Sequence, residues 1–484
     1  MLFFTNSTNL PKEKFDTVIE NIFLHTNLIE CESGAQIKYI ENITKIDSKG
    51  FYIIQDKEML KGRINSISCE VKYFIPNEIK YEDFRKTENK LFTEKDGVYI
   101  LSFDIISFIL ALIYNNISLS NKENYQKYQS FQRVPFAEYI LLNFASELKK
   151  IIIKEKYIYA EQIKENESYF LPTFDYDRIR YFKRRKDIIY FIKKAIFRDT
   201  KAEKYLHLRK ILKSDPWNKA KDINGLMKEK NLHSMHFVFV ENRDIFASRY
   251  SLREAKNIIK GLNKTSASGV HLTYESAQSE RTVKKQIKRF SSINEKAEYS
   301  RFHYLYPINE RVAKILCSSN LKADFSVGMR GRMGFINGFS KPYRLFNKGT
   351  LEFPVVFMDS AIVADRKREN CSIEKIADEV NLTNGVMTII FHPSSLDKNT
   401  YPEYAGILNE MILLSEKNKM RNISIESLME YFSKKIILKK ENGYLVLNKN
   451  IKASIKLYIE NREFIMNCGE RIKVNEEERK KMLF

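Results

Sequence analysis

The stretch Tyr169-Phe170-Leu171-Pro172-Thr173-Phe174-Asp175-Tyr176-Asp177 decides how this chain folds. An apolar run of strand length, Tyr169–Phe174, ends abruptly in two aspartates, and runs of the same kind recur downstream. They are Met235–Val240, Gly269–Leu272, Arg301–Leu305, Ala323–Val327, Phe353–Met358 and Val386–Phe391. Stretches of helical apolar spacing separate most of them. Ser251-Leu252-Arg253-Glu254 is a capping box opening a helix that runs to about Leu262. Glu275–Phe290, Asn309–Cys317, Ser372–Val380 and Tyr404–Ser415 follow with the same periodicity. Strand–helix alternation on this scale predicts parallel strands with crossover helices, so an α/β barrel or a doubly wound sheet.

Outward from this region the texture changes. Residues 1–160 mix short β-like runs (Gln36–Ile40, Gly50–Ile54, Cys69–Ile75) with an apolar helix over 101–114 and an amphipathic one from about Phe136 to Lys154. They read as an α+β domain, with packing or docking the expected role. Residues 166–420 form the alternating domain. Residues 424–484 read as one helix and short alternating strands, a small β-rich appendage with a charged tail.

The 484 residues carry 82 Lys and Arg against 61 Asp and Glu, a net charge of +21. A surplus of that size invites nucleic acid, an anionic membrane face or a phosphate-bearing substrate. The lysines are scattered, however, and no nucleic-acid motif accompanies them, so nucleic acid is the weakest of the three. The five cysteines (31, 69, 317, 371 and 468) are far apart and form no C-x-x-C pair, which argues against a disulfide framework or a thiolate zinc site. The start lacks a secretion signal, and the most apolar run, Val98–Tyr114, is short and interrupted by Asp104. A cytoplasmic protein without a membrane span is expected.

In parallel α/β folds, chemistry collects at the C-terminal ends of the strands. The first run here ends in Asp175-Tyr176-Asp177 and the third in His271; the fourth holds Arg301 and His303, and the seventh delivers His392. Asp175 and Asp177 are two apart, so in an extended segment both face the same side. Two carboxylates with a histidine from another strand end suit a divalent metal. One carboxylate would bind the ion while the other takes a proton from water. Arg301 would pair with the base, and His392 would protonate a leaving group. This is the chemistry of metal-assisted hydrolysis of an acyl bond. Asp324 and Asp359 also lie at run ends, where they read as orienting or amide-capping groups.

The residues in order resemble the NodB-like polysaccharide deacetylases, the family-four carbohydrate esterases, in the subgroup with an extra N-terminal domain. Thr173-Phe174-Asp175-Tyr176-Asp177 resembles the family's first motif, Asp215-Pro216-Trp217-Asn218 a D-P-[YW]-N element, and Ser268-Gly269-Val270-His271 the strand end carrying a metal histidine. Arg301-Phe302-His303-Tyr304-Leu305 resembles R-x-H-Y-L, and Asp324-Phe325-Ser326-Val327-Gly328 resembles D-S-T-x-G. Gly334–Gly338 resembles a G-F-R-x-G loop and Ile390-Phe391-His392-Pro393 the last motif; Phe103-Asp104-Ile105 and Arg133–Phe136 extend the match toward the N-terminus.

The resemblance implies a distorted (β/α) barrel and a divalent-metal-dependent hydrolase, with zinc the expected ion. The enzyme would remove an acetyl group from a carbohydrate, a precursor of a bacterial surface polysaccharide. Asp175 would be the base, His392 the acid and Arg301 the residue orienting the base. Asp177 and His271 would be metal ligands. His303, Tyr304, Asn337 and Trp217 are the expected substrate contacts.

The sequence departs from the family at the second metal histidine, whose position is occupied by Glu275. An Asp/His/Glu set is therefore expected, with His303 as another candidate and a first-turn helix residue as the alternative for Glu275. The alternative function is a lapsed deacetylase-like protein that binds or assembles carbohydrate. The basic run Arg178–Lys186 reads as a solvated face, as a hold for a phosphate-linked sugar, or as a contact to an anionic membrane.

Overall fold

The computed structural model describes residues 2–29, 35–46, 48–57, 91–101, 104–115, 132–155, 157–163, 166–180, 217–241, 250–368, 372–404 and 406–433, shorter pieces of the last fifty residues, and a few other short stretches and single positions. Its centre is a nine-stranded sheet. The strands, numbered in chain order, are β1 (Tyr169–Tyr176), β2 (Ser234–Phe239), β3 (Ser266–Leu272), β4 (Tyr299–Phe302) and β5 (Ala323–Asp324). β6 (Tyr343–Arg344), β7 (Leu351–Glu352), β8 (Phe357–Met358) and β9 (Val386–Phe391) complete it. Across the sheet the order is β6-β7-β5-β4-β3-β2-β1-β9-β8, and only the β6–β7 pair is antiparallel. From β1 the chain thus steps strand by strand in one direction and returns on the other side, so the sheet curls as a half-barrel. The α/β class expected from the sequence is what the chain adopts.

Continuous apolar runs follow from this geometry, because strands covered on both faces have no solvent side. Every residue of β1, β2 and β9 is buried. The crossover helices fall close to their sequence positions: Leu252–Lys260 with its capping box intact, Glu280–Ser291, Glu310–Ser318, Ile373–Leu382 and Ile407–Lys417.

One strand departs from expectation. Phe353–Met358 is not a single strand, because Pro354 has no N–H and the segment changes partners around it. The Phe353 and Val355 amides donate to Asp324 and Val327, whereas the Val356 amide donates to Thr388 on the opposite side.

The N-terminal region builds a five-stranded sheet ordered Leu2–Asn6, Ala35–Ile40, Gly50–Ile54, Val98–Leu101, Phe92–Lys95; only its last pair is antiparallel. The apolar run of Val98–Tyr114 divides into that strand and the helix Ile105–Ile113, which is wholly buried and capped by the Asp104 carboxylate accepting from the Ser107 amide. Among the described residues no helix is long and apolar enough to cross a membrane.

The helix Phe136–Lys154 meets the loop between β5 and β6. Glu138 accepts from the backbone amides of Ser340 and Lys341, and Arg133 donates to Asp365 and to the Met333 carbonyl. Gly338, at φ +77, is required here: a Cβ would stand 2.7 Å from the Phe136 ring.

The helix Ile425–Ser433, grouped by sequence with the appendage, packs by Ile425, Leu428 and Phe432 against Tyr169, Leu171 and Phe237 of the central sheet. The appendage recruits a strand from before that sheet, since Ser454–Ile459 pairs with Tyr159–Ile163. Contacts therefore cross the positions near 160 and 424. Cys317 is a free, partly buried thiol; the other four cysteines lie outside the described residues.

Candidate functional site

The register of the sheet brings the strand ends together. His271 and Arg301 are direct neighbours on β3 and β4, and Asp175 leaves β1 two residues before Asp177. Arg301 is fully buried. Its Nη1 donates to Asp175 Oδ1 at 2.6 Å and to Thr173 Oγ1 at 2.8 Å, its Nε donates to the Phe325 carbonyl, and its guanidinium lies 4.3 Å from the Phe237 ring centre. A buried carboxylate needs such a partner; removing one side of a buried pair costs about 3–5 kcal/mol.

Asp177 is surrounded by imidazoles. Oδ1 lies 2.9 Å from His271 Nε2; Oδ2 lies 3.1 Å from His303 Nε2 and 3.4 Å from His392 Nε2. Burial alone would push the Asp177 carboxyl up, but hydrogen bonds from His271, His303 and His392 outweigh it and hold the carboxyl well below the usual range. The other nitrogen of His271, Nδ1, lies 2.9 Å from the Arg301 carbonyl, which can only accept. In a neutral His271 the proton therefore sits on Nδ1, and the Nε2 lone pair faces a carboxylate oxygen. Two acceptors meet in this way only with a cation, proton or metal, between them.

His392 ends β9. Its Nδ1 lies 3.0 and 3.1 Å from the two Asp359 oxygens, and its backbone amide donates to Asp359 Oδ2 at 2.9 Å. Ser395 Oγ and the Ser360 amide also donate to Asp359. Burial opposes a charge on His392, but the Asp359 charge and the bonds to Asp177 and Asp359 outweigh it and raise its pKa well above the ordinary value. Burial likewise raises Asp359, and His392 with its other donors brings it below the usual carboxylate range.

These groups border a cavity of about 370 Å³, lined by Asp175, Asp177, His303, Tyr304, Asp359 and His392 together with Arg178, Arg330, Tyr401 and Tyr404. Tyr304 and Leu305 both take left-handed backbone, at φ +67 and +49, which non-glycine residues rarely do. The turn sets the Tyr304 ring 4.3 Å from the His303 ring.

Of the expected site residues, the structure brings together Asp175, Asp177, His271, Arg301, His303, Tyr304 and His392. It does not place Glu275 with them. The chain after β3 forms a 3₁₀ turn, Tyr274–Gln278, whose buried face is Ser276 and Ala277; Tyr274 and Glu275 point outward and do not line the cavity. Asn337 is buried away from the cavity, its Nδ2 donating to the Tyr343 hydroxyl. Trp217 is a backing residue: its Nε1 donates to Thr400 Oγ1, and its ring stacks 6.1 Å from Tyr401.

Asp359 is the site residue that sequence reasoning passed over as a partner for His392. The available signal was its position at a run end, like every other member. Of the basic run Arg178–Lys186, residues 181–186 lie outside the described residues.

Among the described residues no group of three or more His, Cys, Asp or Glu side chains is arranged to hold a metal ion; Asp177 and the imidazoles are in direct contact with one another. The donor set still has the composition a divalent ion takes, one carboxylate with imidazole Nε2 atoms, and the His271 Nδ1 bond to a backbone carbonyl is the support a metal-bound imidazole needs. No protein-family model matches the chain, and no curated protein matches it.

Proposed function

We propose that the chain is a divalent-metal-dependent hydrolase that removes an acetyl group from a carbohydrate, of the NodB-like kind that its motifs resemble. The observation that carries the reading is the convergence on one cavity of three separately partnered groups: Asp175 with Arg301, Asp177 with three imidazoles, and His392 with Asp359. The curled parallel sheet is compatible with the distorted barrel that the resemblance implies.

Asp177, His271 and His303 would hold the ion, with zinc the expected one. When bound, the ion supplies Lewis acidity to the acetyl carbonyl. Asp175, fixed through its Oδ1 by Arg301, accepts the proton of the attacking water at its other oxygen. His392, kept in orientation by Asp359 at Nδ1, gives a proton to the departing sugar nitrogen or oxygen from Nε2. Tyr304 and Tyr401 line the cavity and would contact the sugar.

Acetate release from acetylated saccharides by zinc-loaded protein tests the reading, with Asp175→Asn as control. Release that the substitution abolishes supports it; zinc-loaded protein that binds saccharide and releases no acetate sinks it. That second outcome would favour a lapsed deacetylase-like protein that binds or assembles carbohydrate.

A further inference from the structure

Two arginines border the cavity in a way the hydrolytic chemistry does not use. The guanidinium of Arg330 lies 5.1 Å from the centre of the Tyr304 ring, and that of Arg178 lies 6.0 Å from the centre of the Trp217 ring. Both residues line the cavity and both are exposed. Among the described residues neither has a carboxylate partner, whereas nearby Arg180 pairs with Glu254, Arg133 with Asp365 and Arg301 with Asp175. The acids of the cavity are themselves engaged: Asp175 by Arg301, Asp177 by three imidazoles, and Asp359 by His392. Arg178 and Arg330 are thus the two exposed cations lining the cavity that no carboxylate among the described residues engages.

Stacking matters for how that charge is used. A guanidinium over a ring face gives up none of its N–H donors, which all point outward along its edges. The ring also limits the conformers of a long side chain, so less freedom is lost when a ligand binds. The Tyr304 platform is held by two consecutive left-handed residues, and the Trp217 platform by the Thr400 bond and the Tyr401 stack.

We infer that Arg178 and Arg330 form an anion subsite at the mouth of the cavity, selecting saccharides that carry a carboxylate or phosphate beside the acetylated position. This deepens the proposed function and rests on it for the saccharide. The two sources of negative charge share their recognition chemistry, because both present paired oxygens to guanidinium edges.

The test uses the full chain loaded with zinc and three probes: an N-acetylglucosamine oligomer, which is neutral, an O-acetylated oligogalacturonate, and an N-acetylhexosamine phosphate. Binding is measured by calorimetry at low and raised ionic strength, and acetate release is followed in parallel. At least one charged probe should bind roughly tenfold tighter than the neutral one, and its affinity should fall with salt. Which charged probe gains identifies the anion.

Arg178→Gln and Arg330→Gln should each remove most of that advantage, weakening the charged probe far more than the neutral one. Arg180→Gln, at a paired arginine, should leave the preference intact. Equal binding of neutral and charged probes, or a loss in the variants that is the same for both, overturns the subsite. Acetate release from neutral and charged probes alike, without an arginine effect, removes the subsite and leaves the hydrolase reading standing. Arginine-dependent anion binding with no acetate from any probe does the reverse.

Discussion

The Nε2 atom of His303 lies 3.1 Å from the Oδ2 atom of Asp177, the oxygen that His271 does not touch. A histidine one strand further round thus stands beside Asp177, whereas Glu275, at the position of the family's second metal histidine, does not line the cavity. Elemental analysis after zinc incubation and desalting should find about one ion per chain in wild type. Asp177→Ala, His271→Ala and His303→Ala should each weaken retention by about 100-fold or more, since loss of even an outer partner of a metal ligand costs 10–100-fold. Glu275→Ala should retain the ion, and loss of metal there would reinstate the glutamate as a ligand.

Asp359 touches His392 at both the ring and the backbone, so in the proposed hydrolysis it would act through His392. Asp359→Asn keeps the size of the side chain and its acceptor for the Ser395 hydroxyl but removes the charge beside the ring. kcat for acetate release should fall by about 10²–10⁴-fold, the range of a lost general acid, with KM little changed. Unchanged kcat would show that Asp359 serves only to cap the Asp359–Arg368 helix that it begins.

How much of this was legible in the sequence depended on how locally each feature is specified. β1 and β9 stood out because strands buried on both faces leave an uninterrupted apolar signature. Asp175 and Asp177 were legible as a pair because alternation along a strand is a two-residue rule. Glu275 came from the family motif, which has a metal histidine four residues after the first; a motif position does not report the local backbone, and here the chain forms a 3₁₀ turn after Thr273 with Glu275 exposed on it. The Asp359–His392 contact joins residues 33 apart, which no local period reports. Likewise, the β7–β8 segment hides its change of partners behind one proline, Pro354.

His236 gives the fold an acid-sensitive point outside the cavity. It is fully buried, with Nδ1 3.0 Å from the Tyr176 hydroxyl and Nε2 2.9 Å from Ser234 Oγ, and burial pushes its pKa down to about 3. The unfolded chain, with an ordinary histidine near 6.5, binds a proton that the folded chain refuses across that window. Stability should therefore fall as pH drops from about 6.5 toward 3, with a limiting slope of about 1.4 kcal/mol per pH unit from this group. Urea unfolding of His236→Asn should show a shallower acid limb, at a cost of about 1–3 kcal/mol at pH 8 from lost packing and hydrogen bonding. Parallel pH curves for the two proteins would rule His236 out as the source.

Glu352 makes the opposite prediction. It faces Asp324 across the β5–β7 pair; both are fully buried, and Glu352 Oε1 accepts from the Val327 amide. Burial, followed by the Asp324 charge, raises the Glu352 carboxyl well above its ordinary 4.5. Above that ordinary value the folded chain keeps a proton that the unfolded chain has released, so stability declines as pH rises toward the folded value. Glu352→Gln retains an acceptor for the Val327 amide and has no proton to lose. The variant should match wild type near pH 4 and exceed it by about 1–3 kcal/mol at pH 8 in urea unfolding, the usual cost of an unsatisfied buried polar group. A variant destabilised at pH 8 by as much as at pH 4 would mean that the wild-type carboxyl is needed where it stands.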